Sequence, residues 1–145
     1  MNQDFRTSVN AGSAKSLLCL ASAAALGLAL AGCATSEKSL VEQGAKPLSE
    51  SALQAEFSRP RKTNWTTANG VGGISHFTSD GKVSANWGSG SAEGRFRVHQ
   101  AMLCTTFKDF AAGAERCSRV YRTGDNRYRS FLADGTPGST FSFAE

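Results

Sequence analysis

Arginine and tyrosine alternate along a short stretch near the end of the chain, and these side chains have the chemistry to bind an anion. The stretch reads RVYRTGDNRYR, and its Gly-Asp-Asn turn predicts a β-hairpin. Guanidinium groups pair with phosphate or carboxylate and stack with aromatic rings. The candidate residues for binding an anion or a partner are Arg119, Tyr121, Arg122, Arg127, Tyr128 and Arg129. The alternative is that these arginines are the solvated side of the hairpin and protect it from edge aggregation.

Residues that enzymes use for catalysis are present, but they do not form a recognisable motif. His76, Asp80 and a serine could be combined into a triad, yet no serine has the glycine pattern of a nucleophile elbow. Glu93 with Glu115 or Asp109 could act as a carboxylate pair on a glycan. All three lie in predicted loops, where solvated carboxylates are common. We therefore predict no catalytic residues and a protein that is not an enzyme.

Residues 1–32 have the layout of an export signal. Arg6 and Lys15 precede an apolar stretch from Ser16 to Leu30, as in the n-region and h-region of a secretory signal peptide. A transmembrane helix is the alternative. Residues 17–33 would form only about 25 Å of helix, against a hydrocarbon core of about 30 Å, so the signal peptide is favoured.

A cysteine follows this leader directly. The stretch Leu30-Ala31-Gly32-Cys33 resembles the lipobox of bacterial lipoproteins residue for residue. The resemblance implies that the Cys33 thiol receives a diacylglycerol, that the signal is removed before Cys33, and that the new amino terminus is acylated, for example with palmitate. Several chains on one residue give the stable anchoring that one chain does not. Ala34 after the cysteine resembles outer-membrane lipoproteins facing the periplasm; an unmodified secreted protein is the alternative.

Two cysteines remain if Cys19 leaves with the signal and Cys33 carries lipid. Cys104 and Cys117 are then an even pair in a compartment that permits disulfides, so we predict that they are bonded. Such a bond contributes about 3 kcal/mol in the chain-entropy model. The two histidines of the chain have no carboxylate or thiol at ligand spacing, so we predict no metal site and no other cofactor.

The segment between the cysteine and the main domain is polar. Residues 33–48 are rich in Ser, Glu, Lys, Gln and Gly, which predicts a flexible tether. The capping-box pattern SALQ begins at Ser51 and predicts a short helix with Leu53 and Phe57 on one face. Pro60 ends this helix after about two turns. We expect the helix to plug one end or side of the domain that follows; a helix lying on the membrane is the alternative.

Residues 49–145 form the predicted β domain. Alternating segments are separated by turn signals such as Asp80-Gly81 and Asp134-Gly135, which favour tight hairpins. The candidate strands are 62–68, 73–78, 82–87, 95–99, 101–107, 117–123, 127–132 and 139–143. The pattern predicts a mainly β fold, a small antiparallel up-and-down barrel or half-barrel of about eight strands with one short N-terminal helix. A β-sandwich is the alternative.

The apolar residues of these strands define a predicted core. One face of each strand supplies it, because side chains alternate along a strand. The predicted core residues are Trp65, Phe77, Trp87, Phe96, Leu103, Phe107, Val120, Phe131, Phe141 and Phe143. Whether they fill the barrel or surround a pocket is left open by the sequence.

Residues 49–143 are similar to a family of uncharacterised small secreted proteins of proteobacteria, a domain of unknown function. The similarity lies in the early short helix, the stretch Phe77-Thr78-Ser79-Asp80-Gly81, the stretch Gly94-Arg95-Phe96, and the cysteines Cys104 and Cys117. It implies a β fold in the cell envelope. It implies no activity or ligand.

Two classes of function are consistent with these features. The first is a lipid-anchored, non-enzymatic binding or inhibitory module, with the predicted loops 88–94 and 108–116 as candidate contacts. The second is a structural or assembly lipoprotein that contacts the cell wall or a membrane complex through the basic hairpin. The formal net charge of +4 suits an anionic envelope component but does not identify a partner. Export argues against nucleic acid.

Overall fold

A computed structural model describes residues 35–144 of the chain. The predicted export signal and Cys33 lie outside these residues. Eight antiparallel strands form a closed barrel in which each strand pairs with the next and the last pairs with the first. The predicted up-and-down barrel is confirmed. The elements are α1 (Glu37–Glu42), α2 (Glu50–Phe57), β1 (Arg61–Thr67), β2 (Gly72–Phe77), β3 (Lys82–Trp87), β4 (Gly90–His99), β5 (Met102–Phe107), a 3-10 turn (Ala111–Gly113), β6 (Arg116–Gly124), β7 (Arg127–Leu132) and β8 (Pro137–Ala144).

Strand β4 is longer than the sequence predicts. Instead of a loop over residues 88–94, only Gly88 and Ser89 form the turn, and Gly90 and Gly94 already pair with β3. A Cβ atom on Gly94 would overlap the backbone of Thr106 on the next strand. Glycine in this segment therefore allows close approach of neighbouring strands, and Glu93 lies on a strand.

The predicted disulfide between Cys104 and Cys117 is confirmed, with an S–S distance of 2.02 Å. The two cysteines face each other across β5 and β6. These strands pair at only three positions, and the cysteines are the middle one. The covalent bond thus holds together one of the two ladders of the barrel that pair at only three positions.

Residues 35–48 do not form the flexible tether that their composition predicts. Helix α1 begins after Ser36, whose hydroxyl accepts a hydrogen bond from the Ser39 N–H at 3.1 Å. Leu40 is buried against the outer wall of the barrel. The Leu48 N–H then donates to the Val120 carbonyl at 2.7 Å, along the part of β6 that β5 leaves unpaired. The folded unit therefore starts before residue 49 and has a second short helix that the sequence did not predict.

The apolar residues form one cluster inside the barrel and one outside it. The inner cluster contains most of the predicted core, together with Leu53, Phe57 and Tyr128. Phe131 is an exception, because its neighbours on β7 face the interior and Phe131 packs outside against Leu40. Within residues 35–144, neither helix has the length and apolar content needed to cross a membrane.

Candidate ligand cavity

Helix α2 closes one end of the barrel. Leu53 is completely buried, and the Phe57 ring lies among the rings of Phe77, Phe96 and Phe143, with centroids 4.9, 5.8 and 5.7 Å away. These distances are typical of favourable aromatic pairs. The expectation that α2 plugs one end of the barrel is confirmed.

A polar cluster surrounds this plug. The Glu56 carboxylate accepts hydrogen bonds from Arg61 at 2.7 Å, from Arg122 at 3.1 Å and from the Tyr128 hydroxyl at 3.3 Å. The Arg61 guanidinium also lies 4.5 Å from the centre of the Phe143 ring. Burial raises the pKa of Tyr128. The Glu56 carboxylate therefore connects the last turn of α2 to β1, β6 and β7. Helix α2 and these contacts close this end of the barrel.

The other end of the barrel is open and leads into a cavity of about 670 Å³. This volume lies within the range of about 300–1,000 Å³ that is usual for small-molecule sites. The lining is mostly apolar and aromatic. Large side chains around the space include Trp65, Trp87, Leu103, Phe107, Phe110 and Leu132.

The cavity exists because a row of small side chains crosses the middle of the inner wall. Thr63, Ser75, Ala85 and Ala92 are successive partners across β1, β2, β3 and β4. All four line the space. Larger residues at these positions would fill it, as the aromatic side chains do at the closed end. At the open end the predicted core aromatics therefore border a pocket instead of filling the barrel.

Two tryptophans form part of the wall, each opposite a glycine. Trp65 pairs with Gly73 and Trp87 pairs with Gly90, and a Cβ atom on either glycine would overlap the facing indole ring. The glycines thus leave room for each ring to lie flat on the neighbouring strand. The Trp65 indole N–H donates to the Ser75 hydroxyl at 2.9 Å. Both rings are held in place beside the cavity.

The loop between β5 and β6 forms part of the rim. Phe110 is 50% exposed. Ala111 and Ala112 have φ angles of 53° and 54°, which L-residues rarely adopt. The Arg116 guanidinium lies 5.6 Å from the centre of the Phe110 ring. The predicted contact loop 108–116 therefore lies at the entrance of the cavity.

The predicted basic hairpin does not present its six candidate residues on one surface. Arg119, Tyr121 and Arg129 face outward and are covered by the N-terminal segment. Arg119 forms a two-point ion pair with Glu37 at 2.6 and 2.7 Å, and the Tyr121 hydroxyl donates to the same carboxylate at 2.8 Å. Arg129 donates to the Thr35 carbonyl at 3.0 Å. Three of the six candidates are therefore engaged with residues 35–37.

The electrostatics of this contact follow from the ion pair. The hydrogen bond from Arg119 holds the pKa of Glu37 below its ordinary value, although burial opposes the shift. Glu37 in turn raises the pKa of Arg119, and burial raises the pKa of Tyr121. The charged forms of Glu37 and Arg119 therefore stabilise each other on the barrel wall.

The other three candidates lie at the closed end. Arg122 and Tyr128 belong to the Glu56 cluster, and Tyr128 is buried. Arg127 is exposed beside the turn between β6 and β7. Tyr121 and Tyr128, which the sequence suggested as stacking residues, are both buried inside the protein.

The remaining candidates for chemistry lie outside the cavity. His76 is exposed on the outer wall, and Lys82 lowers the pKa of Asp80 to about 2. Within the described part of the chain, one group of three potential metal ligands exists, Cys104 with Glu115 and Cys117, and the disulfide occupies both sulfurs. Glu115 is paired with Arg97 at 2.7 Å.

The chain was compared with protein-family models, with curated proteins and with solved structures, and it matches none of them.

Proposed function

We propose that this protein is a lipid-anchored envelope protein that binds a small, mainly apolar molecule inside its β-barrel. The observation that carries the proposal is the open cavity of about 670 Å³. Small residues across the inner wall leave this space, and fixed aromatic rings surround it. Such a preformed, mostly apolar recess with few polar groups is typical of ligand sites.

The composition of the lining supports binding without catalysis. Among the described residues that border the cavity, none is a carboxylate, histidine, lysine or cysteine. General acid-base catalysis and most covalent catalysis depend on these groups. The hydroxyls that are present have no base beside them in the lining. We therefore propose a carrier or sensor of its ligand.

An inhibitory module is a weaker candidate within the same class. The rim loop with its exposed Phe110 has the exposure needed to enter a partner's cleft. The second proposed contact, residues 88–94, is mostly strand. The alternative of an assembly lipoprotein that binds through the basic hairpin has less support, because five of its six residues already have partners within the folded unit.

Filling the cavity tests the binding proposal. We expect the neutral fluorophore N-phenyl-1-naphthylamine to bind the protein and to become brighter. Ala85→Leu places a larger side chain in the row of small inner residues and should weaken this binding at least tenfold. Ala55→Leu is the matched control, because Ala55 is exposed on α2. Thermal unfolding of both variants confirms that they fold. Absence of binding by the unaltered protein, or unchanged binding by Ala85→Leu, contradicts the proposal.

The anchor is proposed from the lipobox and has its own test. In bacterial cells fed a labelled fatty acid, the chain should incorporate label, and Cys33→Ser should abolish the label and leave the precursor uncleaved. Cys19→Ser is the control, because it makes the same change inside the leader. Labelling of the Cys33→Ser variant would show that the lipid attachment is assigned to the wrong residue.

A further inference from the structure

The charge at the mouth of the cavity indicates the chemical class of the ligand. We propose that the cavity takes an amphiphile with an apolar body and a single anionic head group, and that Arg116 binds the head group at the entrance. This inference rests on the proposed function, because it assumes that the cavity holds a ligand. It adds the orientation of that ligand and the residue that selects it.

Arg116 is the one charged side chain among the described residues that line the cavity. It is the first residue of β6, it is exposed, and it lies at the open end beside Phe110. Within residues 35–144, no carboxylate lies within ion-pair distance of it, and its side chain donates no hydrogen bond. The charge of Arg116 is the smallest of several causes that lower the pKa of Asp134. Asp134 and Arg116 form no ion pair.

Other arginines of the barrel show what distinguishes Arg116. Arg61, Arg97, Arg119 and Arg122 each hold a carboxylate of this chain at 2.6 to 3.1 Å. These four serve to connect elements of the fold. Arg116 makes no such connection and keeps its hydrogen-bond donors available. A guanidinium group binds carboxylate or phosphate with two parallel hydrogen bonds.

Two hydroxyl groups continue the polar surface from Arg116 into the cavity. Thr105 is the partner of Arg116 across β5 and β6, and Ser118 lies two residues further along β6, so all three side chains face inward. In the described part of the chain, neither hydroxyl forms a hydrogen bond to a protein group. Both can therefore donate to an anion that Arg116 holds. Beyond them the wall is mostly aromatic and aliphatic, which suits the apolar body.

The arrangement predicts the order of affinity for three probes with the same chain. Decanoate and decyl phosphate carry an anionic head group, whereas decanol is neutral. We expect at least one anion to bind about tenfold tighter than decanol, since a charge-assisted, two-point contact is stronger than a neutral one. Which anion is tighter distinguishes a carboxylate ligand from a phosphate ligand. Both tryptophans of the chain line the cavity, so a change in their fluorescence, or displacement of bound N-phenyl-1-naphthylamine, reports binding in the full chain.

Variants of Arg116 decide between this inference and the broader proposal. Arg116→Gln should remove the preference for the anion over decanol, and Arg116→Lys should restore part of this preference. Arg127→Gln is the control, because it removes an exposed arginine at the closed end of the barrel. If decanol binds but the anions bind no tighter, or if Arg116→Gln keeps the preference, the head-group inference is wrong and the cavity proposal stands. If none of the three probes changes the tryptophan fluorescence or displaces N-phenyl-1-naphthylamine, the cavity proposal itself fails.

Discussion

The two ends of the barrel are built from the same eight strands but differ in how they are filled. At the closed end, Leu53 and Phe57 of α2 enter between the strands and complete a packed aromatic core. At the open end no helix enters, and the aromatic rings border a space of about 670 Å³. Helix α2 therefore makes the two ends different, since one end is packed and the other contains the cavity that we propose as a ligand site.

This difference shows how a small barrel can combine a stable, packed core with an open cavity. Eight strands leave an interior just wide enough to be filled by side chains or to hold one small ligand. Here one end of the barrel is filled by side chains and the other end holds a cavity. The small inner residues Thr63, Ser75, Ala85 and Ala92 lie between the two ends. Large-to-small changes should therefore cost more at the closed end than at the open end.

Truncation of the plug should give the largest effect. Leu53 is completely buried and does not line the cavity, so Leu53→Ala leaves an unfilled space in a packed region. We expect the free energy of unfolding to fall by about 2–5 kcal/mol, the usual range for such a change. Urea denaturation measures this fall.

The same substitution at the open end sharpens the comparison. Leu132 lines the cavity and is only partly buried, so Leu132→Ala removes the same atoms where the side chain already borders empty space. We expect a loss of about 1 kcal/mol, because less apolar surface returns to water. Equal losses for the two variants would show that the two ends do not differ in stability.

Much of the closed end could be predicted from the sequence. Leu53 and Phe57 are four residues apart after a capping pattern, and Pro60 fixes the end of the helix, so a plugging helix follows from local signals. The turn pairs and the alternation of side chains likewise predict eight strands. The even pair of cysteines predicts the disulfide. These features depend on neighbours in the chain or on pairing rules that hold for any barrel.

The open end was harder to predict. Alternation shows which side chains face inward, but it does not show whether they meet across the barrel. The signal was present in two forms, the small inner residues at Ser75 and Ala85 and the glycines opposite Trp65 and Trp87. To predict a cavity from these residues, one must know which residues pair between strands, and the sequence does not provide this register. Arg116 was not singled out for the same reason, because its neighbour Phe110 and its partner Thr105 come together only through that register.

The N-terminal segment was predicted wrongly because its contacts are distant in the chain. Residues 35–48 contain one buried apolar side chain, Leu40, and are rich in Ser, Glu, Lys, Gln and Gly, which is the composition of a tether. The hairpin arginines were interpreted as a binding surface for the same reason. The Glu37 carboxylate that holds Arg119 and Tyr121 lies more than eighty residues earlier. Neither half of this contact can be interpreted alone.

That contact supplies a further test of the comparison, because residues 35–48 lie against the outer wall of the barrel and lead into the plug. Glu37→Gln removes the charge that binds Arg119 and should lower the free energy of unfolding by about 1–2 kcal/mol near neutral pH. Binding at the open end should not change. Glu42→Gln is the matched control on the same helix, since Glu42 pairs with the exposed Lys38 at 3.8 Å. This substitution should lower the free energy of unfolding by less than about 0.5 kcal/mol.

The pH dependence identifies the cause of this loss. The pKa of Glu37 in the folded protein is lowered from its ordinary value of 4.5, mainly by the hydrogen bond from Arg119. The stabilisation is therefore complete above pH 4.5 and is lost as the pH falls through the lower folded value. The difference in unfolding free energy between the unaltered protein and Glu37→Gln should shrink over this interval. A Glu37→Gln difference that is constant with pH would mean that the carboxylate acts through its shape and hydrogen bonds, not through its charge.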